Sequence, residues 1–127
     1  MNNTLILRIA VSIVLLAHSI PSIVSGGVND FGRLYLDQVG FAPFGLAIAW
    51  AVKLSHVAGA VLLLMDKYVK WVGWITIAIL VTGIIMIHGK EGWFVVGGGR
   101  NGMEFNVLMI FVLLSIMYQN TLRVNTK

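Results

Sequence analysis

The chain has no cysteine, and only 11% of its 127 residues are charged. The first absence removes disulfides, thiol redox chemistry, thiolate metal sites and cysteine-held iron–sulfur clusters. The second excludes an ordinary soluble domain, in which charged residues make up about a quarter of the chain. What fills the space is 58% hydrophobic residues, with a mean hydropathy of +0.90. That composition belongs to an integral membrane protein, read here as a single domain over residues 1–127.

A membrane-crossing helix needs about 20 mostly apolar residues. Four segments meet or approach that length: Thr4 to Val24, Phe41 to Met65, Val69 to Ile87, and Met103 to Tyr118, the last extendable to about 120 or to Leu122. The expected fold is therefore all-α, an integral membrane four-helix bundle. The first segment is no secretory signal, because Arg8 interrupts its apolar run and three further spans follow.

The net charge of +4 is a topological signal rather than a nucleic-acid one. The loop Asp66 to Lys70, with Arg123 and Lys127 in the tail, holds four basic residues against one acid. Arg8 adds to that side, where it can snorkel to the headgroups. The opposite loops hold Arg33, Lys90 and Arg100 against Asp30, Asp37, Glu91 and Glu104. The positive-inside rule then places both termini in the cytoplasm, with the long loops outside and the whole chain a multi-pass protein of a cell inner membrane.

Local signals refine this outline. Pro21 predicts an end or kink of the first span, because it lacks an N–H and clashes with the carbonyl of Ala17. Phe31, Leu34, Tyr35 and Val39 recur at helical spacing, which predicts a short amphipathic helix on the outer interface between spans 1 and 2. Ala47, Ala51, Ser55 and Gly59 form a small-residue stripe suited to helix packing. Trp71 and Trp74 fit an inner aromatic belt, and Trp93 and Phe94 an outer one. Asn101 followed by Glu104 reads as an N-cap and N3 pair opening the fourth helix.

The stretch Trp50 to Leu64 carries the main anomaly. Lys53 and His56 lie three residues apart inside an apolar span, so they share one face of a helix with Ala49 and Ala60. A lysine at the centre of a span costs roughly 3 kcal/mol on translocon scales, which makes it a functional candidate by default. His18 of the first span, His88 at the outer end of the third and Glu104 at the outer start of the fourth extend the set. All four helices thus offer an ionisable residue to the outer half of the bundle. Lone intramembrane histidines are often only hydrogen-bonded structure, but convergence from four helices argues for a site. Gly97, Gly99 and Gly102 match a dinucleotide spacing, yet no strand precedes them, so they read as a tight loop, with an anion cradle at Arg100 as a lesser reading.

Histidine with carboxylate at an interfacial pocket can bind a quinone headgroup and exchange its protons. Haem ranks behind quinone, since only His18 and His88 lie at depths suited to paired axial ligation. No metal-site spacing is present. His18, His88 and Glu104 are the candidates for proton exchange, and Lys53, His56, Trp93 and Arg100 for cofactor binding.

The chain resembles the DoxX-like membrane proteins, related to the DoxD subunit of thiosulfate:quinone oxidoreductase. The residues that carry the resemblance are Arg8 to His18 with Pro21, the Lys53 to Leu64 stretch, His88 with the glycine loop, and Gly102-Met103-Glu104-Phe105. It implies a bacterial four-helix membrane protein linked to quinone or sulfur oxidoreduction. Many relatives hold a carboxylate near the position of His56, and this sequence departs there. The expected function is a membrane subunit of a quinone-linked oxidoreductase, in contact with the lipid bilayer and with a partner subunit or a second copy, and with no nucleic acid. The alternatives are a non-catalytic membrane anchor or assembly partner of a periplasmic or membrane complex, and a small-solute carrier.

Overall fold

The computed structural model describes residues 4–119. Arg123, Lys127 and the proposed extension of the last span to Leu122 lie outside the described residues. Among those described, every regular element is helical. The α-helices are α1 (Leu5–Ser25), α2 (Gly27–Asp30), α3 (Gly45–Leu64), α4 (Val69–Met86) and α5 (Glu104–Tyr118). A π-helical segment, Phe31–Phe41, joins α2 to α3, and a 3₁₀ turn, His88–Glu91, follows α4. α1, α3 and α4 are each long and apolar enough to cross a membrane. At 1.5 Å per residue the 20 residues of α3 span about 30 Å, the thickness of a hydrocarbon core. The 15 residues of α5 reach only about 22 Å.

The long helices meet in a closed sequence of neighbours. α1 runs along α3, α3 against α4, α4 against α5, and α5 returns to α1. In lipid, helix association gains little from hydrophobicity, so close approach and hydrogen bonds decide it. Near the N-terminal end of α1 both are present. Val11, Leu15, Ala60, Leu63 and Leu113 are buried together, and the Ser12 hydroxyl donates to the Ala60 carbonyl at 3.0 Å.

Arg8 corrects the expectation of a snorkelling side chain. It is only 3% exposed, and its Nη1 donates to the Leu63 carbonyl at 2.8 Å and pairs with Asp66 at 3.3 Å. Leu63 is one of the last carbonyls of α3, beyond the regular helical ladder, and it also accepts the Asp66 N–H at 3.2 Å. The guanidinium thus closes the end of α3 from a neighbouring helix, and the cost of burying its charge is offset by an acceptor and a counter-ion.

Three further expectations are revised. α1 does not end at Pro21 but continues to Ser25 and stops at Gly26. The segment after it does not lie free on an interface. Val28, Gly32 and Leu36, four residues apart, are buried, whereas Leu34 is 71% exposed and Val39 46%. The segment is clamped to the start of α3 through two glycines: a Cβ on Gly32 would meet Leu46 Cα at 2.6 Å, and one on Gly45 would strike the Gly32 carbonyl. Asp37 completes the clamp by accepting the Gly45 N–H at 2.8 Å, which caps α3. Finally, Ala47 and Ala51 of the small-residue stripe are exposed. The buried face of α3 is Ala49, Gly59, Ala60 and Leu63, so the face that carries Lys53 and His56 is the one turned into the protein.

Candidate functional site

The end of the bundle away from Arg8 gathers Lys53 and the three histidines. Lys53 Nζ crosses from α3 to donate to the His18 carbonyl at 2.9 Å. That carbonyl lies beside the Ala17 carbonyl whose partner is lost to Pro21. Lys53 therefore ties α3 to the weakened turn of α1, with two of its three N–H donors left over. His56 lies beside it, within Coulombic reach of both Lys53 and His18. Its two ring nitrogens are buried and have no hydrogen-bond partner, and the same holds for the fully buried Ser19 hydroxyl.

His18 and His88 meet across a separate opening. They line a cavity of about 350 Å³ with Val95, Asn101, Gly102, Phe105 and Asn106. The His18 ring lies 6.1 Å from that of Phe105. His88 Nδ1 is 2.8 Å from the Asn101 carbonyl. A carbonyl only accepts, so Nδ1 carries the proton, and Nε2 of the neutral ring is left as an acceptor. Asn106 is buried and its Nδ2 donates to the Leu80 carbonyl at 3.2 Å. This leaves its Oδ1 and a second N–H available.

Glu104 does other work than orienting a histidine. Its Oε1 accepts the Val95 and Val96 N–H groups at 2.7 and 2.8 Å. Those two backbone bonds hold its carboxyl below the usual carboxylate range. The expected Asn101 cap is absent: α5 starts at Glu104 without a side-chain cap bond, and the carboxylate reaches back into the loop instead. The loop is closed further by Met103 N–H to the Gly92 carbonyl and Glu104 N–H to the Trp93 carbonyl, both 3.0 Å. Gly97 and Gly99 take positive φ at its tip, as a tight glycine loop requires. Glu104 thereby fixes Val95, a wall of the histidine cavity, and acts as a positioning residue.

The structure thus brings His18 and His88 to one cavity and stacks Lys53 and His56 beside them. Trp93 and Arg100 are exposed on the loop and line neither this cavity nor its neighbour. Among the described residues no three metal-ligating side chains converge. Asn106 was missed from the sequence, although a lone amide inside an apolar run is itself a signal.

A second cavity of about 300 Å³, almost wholly apolar, opens between the π-helical segment, α3 and α4. Phe31, Tyr35, Val52, Thr82, Gly83 and Met86 are among its walls. Its position depends on the Gly32–Gly45 clamp, which sets the π-helical segment against α3. Tyr35 closes the upper edge, with its hydroxyl 3.5 Å from the Met86 carbonyl.

Fold and site define the class: an all-helical membrane protein with three apolar helices and a basic, amide-lined opening at one end. Comparison with family models, curated proteins and solved structures finds no match to the chain.

Proposed function

We propose that the chain is a four-span inner-membrane subunit of a quinone-linked oxidoreductase, with both termini cytoplasmic and the histidine cavity in the outer leaflet. α5, extended beyond Tyr118, is the fourth span. The observation that carries this reading is the pairing of His18 and His88, from different helices, across a cavity that also presents the buried amide of Asn106. A quinone carbonyl needs hydrogen-bond donors, and a quinol must give up protons. Asn106 N–H supplies a donor. His88 Nε2 takes a proton and, as imidazolium, returns one. Lys53 adds positive charge behind the site, suited to an anionic reduced headgroup. The electrons come from a partner subunit, since this chain has no cysteine to hold an iron–sulfur centre. The resemblance to DoxX-like proteins read from the sequence carries the same expectation.

The test is solvent extraction of the detergent-purified protein. Quinone is recovered from the wild type, and His18→Ala and His88→Ala lower the yield several-fold, while Trp93→Ala leaves it unchanged. A wild type without quinone, or cavity variants that retain it in full, overturns the reading.

One observation favours the non-catalytic alternative. Phe94 is 62% exposed and Val96 82%, on a loop that Glu104 holds in place. A fixed apolar projection suits a docking surface for a partner subunit. If that is the main role, Phe94→Ser with Val96→Ser abolishes co-migration with the complex on native gels, and quinone is absent throughout.

A further inference from the structure

The two cavities are separated by one residue of α4. Gly83 lines the apolar cavity. A Cβ built on it would lie 3.4 Å from Asn106 Nδ2 and 3.6 and 3.9 Å from Cδ2 and Nε2 of His88. Both of those side chains line the histidine cavity. Without a side chain at 83, the apolar space comes up to the His88 and Asn106 side chains that line the polar one. An alanine would make only ordinary contacts there, whereas a branched residue would push into the His88 and Asn106 side chains.

We infer that the two cavities form one amphiphile site, in which His18, His88 and Asn106 hold a quinone headgroup and the Phe31–Val52–Thr82 cavity takes the first units of its isoprenoid tail across Gly83. This rests on the quinone reading and adds the tail and its path. Three observations support the occupant. The apolar cavity opens to the surface at the exposed Ala78, so a chain longer than the cavity can leave it. Its walls are almost entirely hydrocarbon, which suits a prenyl chain and offers nothing to a polar solute. The two volumes, about 350 and 300 Å³, each sit at the floor of the range for small-molecule sites, about 300–1,000 Å³, and together fall well inside it. A diacyl lipid is a poorer match, because the polar space is lined by two imidazoles and an amide rather than by a cationic phosphate clamp.

The experiment measures binding of a tail-less quinone (duroquinone) and of a decyl-tailed quinone to full-length protein in nanodiscs of fixed lipid composition. Fixed composition holds bilayer partition constant across variants. Ala78→Phe fills the apolar cavity from its exposed rim, and Ile48→Phe fills it from the α3 side. Each is expected to weaken the tailed quinone about ten-fold and to leave the tail-less one within two-fold, while His88→Ala weakens both. Gly83→Val, whose branches reach His88 and Asn106, is expected to weaken both as well. Equal loss of both quinones, or no loss of the tailed one in Ala78→Phe and Ile48→Phe, overturns the tail path while His88 dependence keeps the headgroup reading. Loss of co-purified phospholipid without any change in quinone binding also overturns it. If neither quinone binds the wild type, the headgroup reading falls together with it.

Discussion

The two ends of the bundle are built on opposite terms. At the end that holds Arg8, buried polar groups reach across helices to acceptors: Arg8 to the Leu63 carbonyl and Asp66, and Ser12 to the Ala60 carbonyl. Among the described residues there, Arg8 Nε is the one buried side-chain polar atom without a partner. The surrounding side chains close up around Leu63 and Leu113, both fully buried. At the other end His56 has two unpartnered ring nitrogens and Ser19 an unpartnered hydroxyl, and two cavities open within a few residues of them. A buried polar group left unsatisfied costs about 1–3 kcal/mol. Open space does not separate the two ends, since a cavity of about 400 Å³ also opens beside Asp66, Tyr68 and Lys70. The difference lies in the buried polar groups: one end answers them across helices, and the other keeps free hydrogen-bonding capacity at His56 and Ser19.

Substitutions can break this contrast or sharpen it. The largest effect belongs to Arg8→Ala, which removes the charged donor to the Leu63 carbonyl and leaves that carbonyl only the Asp66 N–H. Loss of a charged, buried hydrogen bond costs about 3 kcal/mol, read as a drop in the denaturation midpoint in detergent, with no change in ligand binding. If Arg8→Ala melts with the wild type, the Arg8 end is not the stabilising one.

Gly45→Val comes next. Its side chain would collide with the Gly32 carbonyl and Asp37, and overpacking of this kind costs about 2 kcal/mol. Because the collision lies at the clamp that shapes the apolar cavity, this variant should also loosen the π-helical segment, seen as faster hydrogen exchange over residues 31–41. Unchanged exchange there would show that the segment holds to α3 without the glycine contact.

His56→Leu should move stability the other way. It replaces two unsatisfied nitrogens with hydrocarbon of similar size and is expected to raise stability by about 1 kcal/mol. A destabilised His56→Leu would mean that His56 has partners the ring geometry does not reveal, and would weaken the contrast between the two ends.

The smallest effect is a local one of pH. Glu104 has a carboxyl held below the ordinary value of 4.5 by the Val96 and Val95 N–H groups. A lowered folded value means that its contribution is fully present above 4.5 and is lost as pH falls through the folded value. Amide exchange at Val95 and Val96, corrected for the intrinsic rate, should lose protection below that range. Glu104→Gln should make the protection nearly independent of pH. Protection that persists in acid would assign the loop's closure to the Met103 and Glu104 backbone bonds alone.

Much of this protein was legible as composition and spacing. Apolar runs of about 20 residues fix α1, α3 and α4, because a chain with so little charge can satisfy its backbone in lipid only as helix. The polar residues within or at the end of those runs, Lys53, His56, His18 and His88, marked the candidate site, because each is costly in a span unless something answers it. Spacing could not say what answers each one. The sequence offered Arg8 as a snorkelling cation and Lys53 as a functional candidate, yet the first is buried against a helix end and the second also ties two helices, through the His18 carbonyl. It offered Glu104 as a partner for histidine, and the loop's two N–H groups took it instead. It marked Ala47, Ala51, Ser55 and Gly59 as a packing stripe with the Lys53 face toward the interior. In the structure α3 buries Gly59 and, on the Lys53 face, Ala49 and Ala60, but leaves Ala47 and Ala51 exposed. Helical periodicity fixes which residues share a face and leaves open which way that face turns. Rotation of a helix about its axis is set by what its neighbours present, here the Gly32–Gly45 contact and the Arg8, Ser12 and Lys53 bonds between α1 and α3, and only the tertiary structure supplies those.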